Sequence, residues 1–444
     1  MAGLGRVTVD NKVTYKSYSI SIDERCCGML FDYGVRTDPF NGDYAATRCL
    51  SNNQVVKLTS VEQAEEYGIT TKLLNGVPHY HISQFFEYTG NGSYVYVMFA
   101  NCSYNFNAIY DFQHKVNGDM FQLGVWTERK LWTTDDDGNC TFTSLIAELQ
   151  QQAEELGGRV GVFNEAVMPL SIVLCANTAT LLNETNFVST IRYRDLPNGT
   201  GMNCPKVSVV LGQNGTDEVH TIQNANIGRC PVGFLGLAMA CLYLASAEKS
   251  IGSVELFDLN KNDTINHAEL GFGYITPDLM QNDYTPISTI TRTRSDIISK
   301  LGYIIPTTYA GKEASVYFSN DQTLSNGDYK LISLNRIISK CRRIVRSVLM
   351  PHINSPMLTT ISGTISNTYA TVISNEIVER LDAKMISSDT GDPQILGREV
   401  IINTEENVVD NDGISLELSI VPANISDVIE VTETSGDEPT DEEQ

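Results

Sequence analysis

The chain predicts an α/β fold: a body of alternating strands and helices, then a C-terminal two-helix plus β unit, with extended arms at both termini. Three observations carry that expectation. Between about residues 54 and 260, short Val/Ile/Leu-rich runs alternate with capped or amphipathic helical segments, the pattern of a mostly parallel or mixed sheet covered on both faces. Apolar residues make up 42% of 444, which suits more than one domain at roughly 100–200 residues each. Runs of alternating polarity lie near both ends of the chain, as in strands seeking a sheet.

Residues 1–25 read as an extended N-terminal arm. Tyr15, Tyr18, Ile20 and Ile22 belong to a run, 15–22, that alternates with period two. Residues 26–330 form the α/β body, with room for two subdomains. A strand at 54–58 leads into a helix capped by Ser60, with Gln63 at the third helical position, a capping box. Gly68 suits the position just past that helix. A helix at 79–88 and a buried strand at 93–100 follow. A helix at 143–156 stops at Gly157-Gly158, and strands are expected at 160–163, 170–176 and 206–212. An uncharged helix at 233–247 leads to an expected strand at 253–259.

The C-terminal unit spans 331–432. In its first helix Ile337, Ile338, Cys341, Ile344, Val345, Val348 and Leu349 form one apolar stripe. Arg336, Lys340, Arg343 and Ser347 descend another face, read either as solvated or as a contact for an acidic partner surface. A second amphipathic helix is expected over 364–385, with Tyr369, Val372, Ile373, Ile377 and Leu381 inward. Strands at 400–403, 414–421 and 425–432 close the unit, the last holding Ile425, Val428, Ile429 and Val431. Residues 433–444 carry six acids and no base, a solvated, disordered acidic tail.

Charge and motifs exclude several functions. Thirty-one basic and 54 acidic residues give 31 − 54 = −23, against a nucleic-acid partner, which requires a basic footprint. No apolar segment follows Met1 in the manner of a secretory signal, so the ten scattered cysteines read as reduced thiols in a cytoplasmic protein. The uncharged stretch 230–247 is at the lower length limit for crossing a bilayer and contains Pro231, Gly233 and Gly236; it reads as a buried core helix, without membrane insertion. Charged residues are only 19%, fewer than the roughly 25% of ordinary soluble domains. That fits a surface partly covered by neighbouring copies, or one rich in Thr, Asn and Ser.

Catalytic signatures are missing. The sequence has no GxxxxGK[ST], no GxGxxG after a strand, no HExxH and no GxSxG. His79 and His81 read as packing or helix-start residues, and Cys140 has no assignable activating base. The sharpest chemical pattern runs from Asp258 to Glu269. It has oxygen ligands at loop positions 1, 3, 5 and 9 and Glu at 12, close to an EF-hand calcium loop. Asp263 stands where that loop needs glycine, and no partner hand exists. The segment reads first as a polar turn, with Asp258, Asn260, Asn262 and Glu269 as the candidate calcium ligands. No cofactor is expected.

The order of several motifs resembles the tail sheath proteins of contractile phages and related contractile injection systems. It begins with Val55-Val56-Lys57-Leu58-Thr59-Ser60-Val61-Glu62-Gln63 up to Tyr67-Gly68. His81-Ile82-Ser83-Gln84-Phe85-Phe86 and Tyr94-Val95-Tyr96-Val97 follow. Near the C-terminus stand Asn335-Arg336, Gly397-Arg398-Glu399-Val400, Ile420-Val421-Pro422 and Ile429-Glu430-Val431. The resemblance covers residues 50–100 and 330–432 best. It implies a structural subunit, not an enzyme, in a sheath stacked around a rigid inner tube. Such a sheath shortens on a baseplate signal, drives the tube through a target envelope and consumes no nucleotide. It further implies a helical homo-oligomer with inner tube, baseplate and terminator proteins as partners. The location implied is a virion tail assembled in the host bacterial cytoplasm. On this reading residues 15–22 and 425–432 exchange with neighbouring subunits, and Arg336, Lys340 and Arg343 face the tube. An enzyme with an unrecognised site and a calcium-binding module remain alternatives.

Overall fold

The computed structural model describes residues 23–32, 50–71, 76–134, 140–157, 168–176, 203–225, 232–266, 270–274, 283–290, 292–325, 327, 329–352, 355–386, 392–409 and 414–423. Its first elements are β1 (Cys27–Asp32), β2 (Val55–Leu58), α1 (Val61–Glu66), α2 (Gly76–Thr89), β3 (Val95–Ala100), α3 (Ala108–Lys115) and β4 (Gln122–Trp126). They are followed by β5 (Trp132–Thr134), β6 (Cys140–Phe142), α4 (Leu145–Gly157), β7 (Ser171–Ala176), β8 (Val207–Leu211), α5 (Asp217–Ala225) and α6 (Leu235–Leu244). Then come β9 (Gly271–Tyr274), β10 (Asp283–Pro286), α7 (Arg292–Lys300), β11 (Tyr303–Ile304), β12 (Pro306–Thr307) and β13 (Tyr317–Phe318). The last are α8 (Ile332–Leu349), α9 (Asn367–Leu381), β14 (Ile395–Ile402) and β15 (Leu416–Pro422).

Seven strands form one sheet in the order β11-β8-β7-β4-β1-β3-β2. All neighbours are parallel except β2, which runs antiparallel to β3 at one edge. The α/β expectation therefore holds. Side chains alternate between two cores, as the pleat requires. Met29, Phe31, Val95, Val97 and Phe99 enter one core with Phe85 of α2 and Leu237 of α6. Leu30, Met98, Leu123 and Val125 enter the other with Phe112 of α3 and Leu149 of α4. Helix α6 is buried along nearly its whole length, which accounts for its lack of charge. No helix among the described residues is long and apolar enough to cross a membrane.

Local signals act as their chemistry dictates. Ser60 Oγ accepts from Gln63 N at 3.2 Å. The return bond is displaced by one residue, since Gln63 Oε1 accepts from Thr59 N at 2.8 Å. Gly68 follows α1 with φ +84°, a left-handed conformation that glycine adopts without a Cβ penalty. Two expectations fail here. Residues 253–259 are not a strand: Phe257 N bonds Ser253 O at 3.0 Å within a series of turns. Local i→i+4 bonding has displaced the ladder that the apolar run suggested. Val372 of α9 is 54% exposed rather than inward, because the helix core face is narrower and carried by Ile373, Ile377 and Leu381. The segment 160–163 lies outside the described residues.

Helices α2 and α6 meet at Gly236, where a Cβ would overlap the His81 carbonyl oxygen and crowd Gln84 Cβ at 2.9 Å. That obstacle is backbone and cannot rotate away. Gly236→Ala is expected to destabilise the body by about 1–3 kcal/mol, the usual cost of overpacking, read as a lowered urea midpoint.

Candidate assembly interface

Helix α8 lies between two masses. Ile337, Cys341, Ile344, Val345 and Val348 enter a third core with Ile373, Ile377 and Leu381 of α9 and Ile395, Ile402 and Leu418 of the β14–β15 pair. The predicted stripe is thus an internal face. Its other face, with Arg336, Lys340 and Arg343, reads from the sequence either as solvated or as a contact for an acidic partner surface, and by resemblance as facing the tube. That placement is corrected by the structure: the three residues are 1%, 6% and 1% exposed. The helix has apolar packing on one side and the α/β body on the other, and only its last turn, at Ser347, is exposed.

The cations are spent on main-chain oxygens of the body. Arg336 donates to the carbonyls of Leu242 (3.1 Å) and Ala245 (2.7 Å), at the C-terminal end of α6, and to that of Ser246 (3.0 Å) in the turn beyond it. Its Nε meets the Gln122 side-chain oxygen at 2.8 Å in the amide orientation that satisfies both groups. Arg342 donates to Gly157 O at 3.1 Å, at the end of α4. Arg343 donates to Gly118 O (2.6 Å), Met120 O (2.7 Å) and Pro169 O (2.9 Å), and stacks over Phe121 at 4.2 Å. Positive charge at helix C-termini is favourable, and guanidinium forks match clustered carbonyls. Burial pushes Arg343 down to about 10, which leaves it a cation at neutral pH.

Lys340 binds Glu24, just inside the expected N-terminal arm, with Nζ 2.7 Å from Oε2. Gln394 donates to Glu24 Oε1 at 3.0 Å. Burial alone would raise the Glu24 carboxyl, yet Lys340, Gln394 and Arg336 together hold it below its ordinary value.

The second feature is an open sheet. β14 and β15 pair antiparallel with a bulge between Ile395 and Gly397, and no further strand joins them among the described residues. Such a pair is marginal alone and depends on its packing. Among the described residues, eight of the thirteen exposed large apolar side chains lie at or beyond Met350, including Leu358, Ile361, Leu396, Ile401 and Val421. Apolar exposure on a two-stranded sheet with no further strand among the described residues is the kind of surface that another chain covers. The expected exchanging residues Tyr15, Tyr18, Ile20, Ile22, Ile425, Val428, Ile429 and Val431 lie outside the described residues.

The calcium-like loop is held by its own oxygens. Asp263 adopts the left-handed conformation, φ +55°, which Asp tolerates. Asp258 Oδ1 accepts from Asn260 N at 2.9 Å, and its Oδ2 accepts from Ser315 Oγ at 2.6 Å. Asn260 Oδ1 accepts from Ile265 N at 2.9 Å, and Asn262 Nδ2 donates to Glu87 O at 3.1 Å. Glu269 lies outside the described residues. Among those described, no three His, Cys, Asp or Glu groups come together as a metal site. His79 pairs with Glu65 at 3.1 Å. His81 donates from Nε2 to Val232 O at 2.7 Å, accepts from Gly236 N at 3.3 Å, and is pushed down to about 3 by burial.

No family model and no curated protein matches the sequence. Solved structures do. The helical sheath of the anti-feeding prophage in its contracted state aligns with TM-score 0.56 and 10% identity, over 98% of this chain and 100% of that one. The contracted sheath of PVC, an extracellular contractile injection system, aligns at 0.53 and 11%, over 97% and 99%. A chain of the 6-fold symmetrised anti-feeding prophage baseplate aligns at 0.52 and 10%, over 98% and 100%. The fold is shared with these contractile sheath proteins, and the alignments span nearly the whole of each chain.

Two outcomes follow for the α8 seam. Arg343→Met removes three buried hydrogen bonds, although Gln113 Nε2 still donates to Met120 O at 2.8 Å and Gly118 O at 3.4 Å; it is expected to cost about 1–3 kcal/mol, whereas Arg25→Met, in an exposed pair, should cost under about 1 kcal/mol; denaturant titration compares them. Glu24 binds its proton less readily folded than unfolded, so its stabilisation is full above about 4.5 and lost as pH falls through the lower folded value. Glu24→Gln should therefore flatten the acid limb of stability against pH below about 4.5, measured by urea unfolding.

Proposed function

We propose that this chain is the structural subunit of a contractile sheath, polymerising helically around an inner tube and shortening to drive that tube through a target envelope. The observation that carries the reading is the fold likeness to sheath subunits across nearly the full length of both chains. The β14–β15 pair, which no further strand joins among the described residues and which exposes Leu396, Ile401 and Val421, supports it. A heterologous contact that does not close on itself yields a helical filament. Strand addition supplies that contact with main-chain hydrogen bonds, and those bonds persist while subunits rotate.

On this reading residues 15–22 and 425–432 are the exchanged strands, and 331–432 is the unit that receives them from neighbours. The partners are further copies of the chain, an inner tube protein, a baseplate and a terminator. The role is structural rather than enzymatic, in the tail of a phage-like particle assembled in the bacterial cytoplasm. The tube-contacting surface is sought away from Arg336, Lys340 and Arg343, which the body already covers.

Negative-stain microscopy of the purified chain is expected to show tubes or ring stacks. A variant lacking residues 1–22 should stay soluble and folded by circular dichroism yet form none. Normal tubes from that variant would sink the strand-exchange part of the reading.

A further inference from the structure

Gln394 stands at the entry to β14 and is fully buried. Every polar group it carries is used, each by a different part of the chain. Its amide donates to Met385 O at 2.7 Å, in the turn that continues α9. Its carbonyl accepts from Ala423 N at 3.0 Å, extending the ladder one step past the end of β15. Its side-chain oxygen accepts from Lys340 Nζ at 2.8 Å, and its side-chain nitrogen donates to Glu24, 370 residues away in sequence. Lys340 closes a triangle onto Glu24 at 2.7 Å, and Arg336 reaches the Glu24 carbonyl at 3.4 Å. Glu24 lies next to Asp23, the first described residue, and Ala423 is the last described one.

We propose that the buried Lys340–Glu24–Gln394 triangle is a positioning device that holds Glu24 and Ala423, the roots of the two proposed exchange strands, at one spot beside the β14–β15 pair. This rests on the sheath reading above and deepens it. A strand given to a neighbour meets the right register only if it leaves from a fixed point, because a one-residue slip turns every side chain to the wrong face. Apolar packing would hold α8, α9 and β14 together at least as well, since buried ion pairs add little net stability. What the triangle adds is direction: each hydrogen bond fixes an angle as well as a distance. One residue, Gln394, sits in both roots, so the two departures are coupled and cannot drift independently.

The test is amide hydrogen exchange on the soluble full-length chain. Lys340→Met keeps the side-chain stem and removes Nζ. It is expected to lower protection at the Ala423 amide and at Cys26, whose amide bonds Asp23 O at 3.2 Å, together and by about tenfold, with α9 unchanged. Should that variant unfold because Glu24 is left charged, Lys340→Met/Glu24→Gln removes both charges and is read the same way. The wild-type chain gives a third reading, as protection factors at Ala423 followed while Glu24 is protonated. Unchanged protection at Ala423 in the folded variants and across that titration would overturn the proposal. So would a uniform loss that includes α9. Microscopy separates this outcome from the parent reading. Tubes from wild type and sparse or irregular tubes from the variant support the device. Regular tubes from both count against it while leaving the sheath function intact. No tubes from wild type sinks the sheath function, and the exchange result still decides whether the roots are coupled.

Discussion

Helix α8 carries five cations, at Arg336, Lys340, Arg342, Arg343 and Arg346, and no acid. Buried basic groups are costly unless each finds an acceptor. For Arg336, Arg342 and Arg343 the body supplies acceptors at the C-terminal ends of α6 and α4 and in the turns that lead into β4 and β7, while Lys340 pairs with the Glu24 and Gln394 side chains. The seam between the seven-stranded body and the C-terminal unit is therefore polar, directional and rich in bonds to main-chain oxygens. Neither side can slide without exposing a guanidinium or a carbonyl to an apolar interior. Everything the C-terminal unit presents outward, including the open sheet, is oriented through this seam.

If the chain works as proposed, in a contracting sheath, a well-bonded seam suits a subunit that must transmit displacement. Interfaces formed by strand addition tolerate rotation because their bonds belong to the main chain and travel with the strand. A weld inside each subunit is the complementary requirement, because otherwise rotation of the body would be absorbed within the subunit. The division of labour is visible in the side chains. Guanidinium-to-carbonyl bonds line the inside of the seam, and exposed Leu396, Ile401 and Val421 mark the β14–β15 pair.

The calcium-like loop illustrates a general ambiguity. Asp and Asn at alternate positions serve equally well as cation ligands and as acceptors for turn amides. Here Asp258 and Asn260 are aimed at their own backbone and at the residues around Val316. The spacing alone cannot distinguish the two uses, because both need short oxygen-bearing side chains around a tight turn.

Local physics is written in the sequence, and much of the fold was legible from it. The alternation of strands and helices, the Ser60 cap, the Gly68 stop, the uncharged core helix and the apolar stripe of α8 each follow from short-range spacing and from which side chains water rejects. The motif order also pointed to the sheath fold. What spacing does not encode is the second face of α8. A row of Arg and Lys at helical period looks the same whether water or a layer of carbonyls waits beyond it, and only the docked body showed that carbonyls do. Glu24, Gln394 and Ala423 were likewise invisible as a group, since hydrogen bonds across 370 residues leave no periodic trace. Tertiary structure decided these points because a buried cation is stable only beside acceptors that the fold must first bring together.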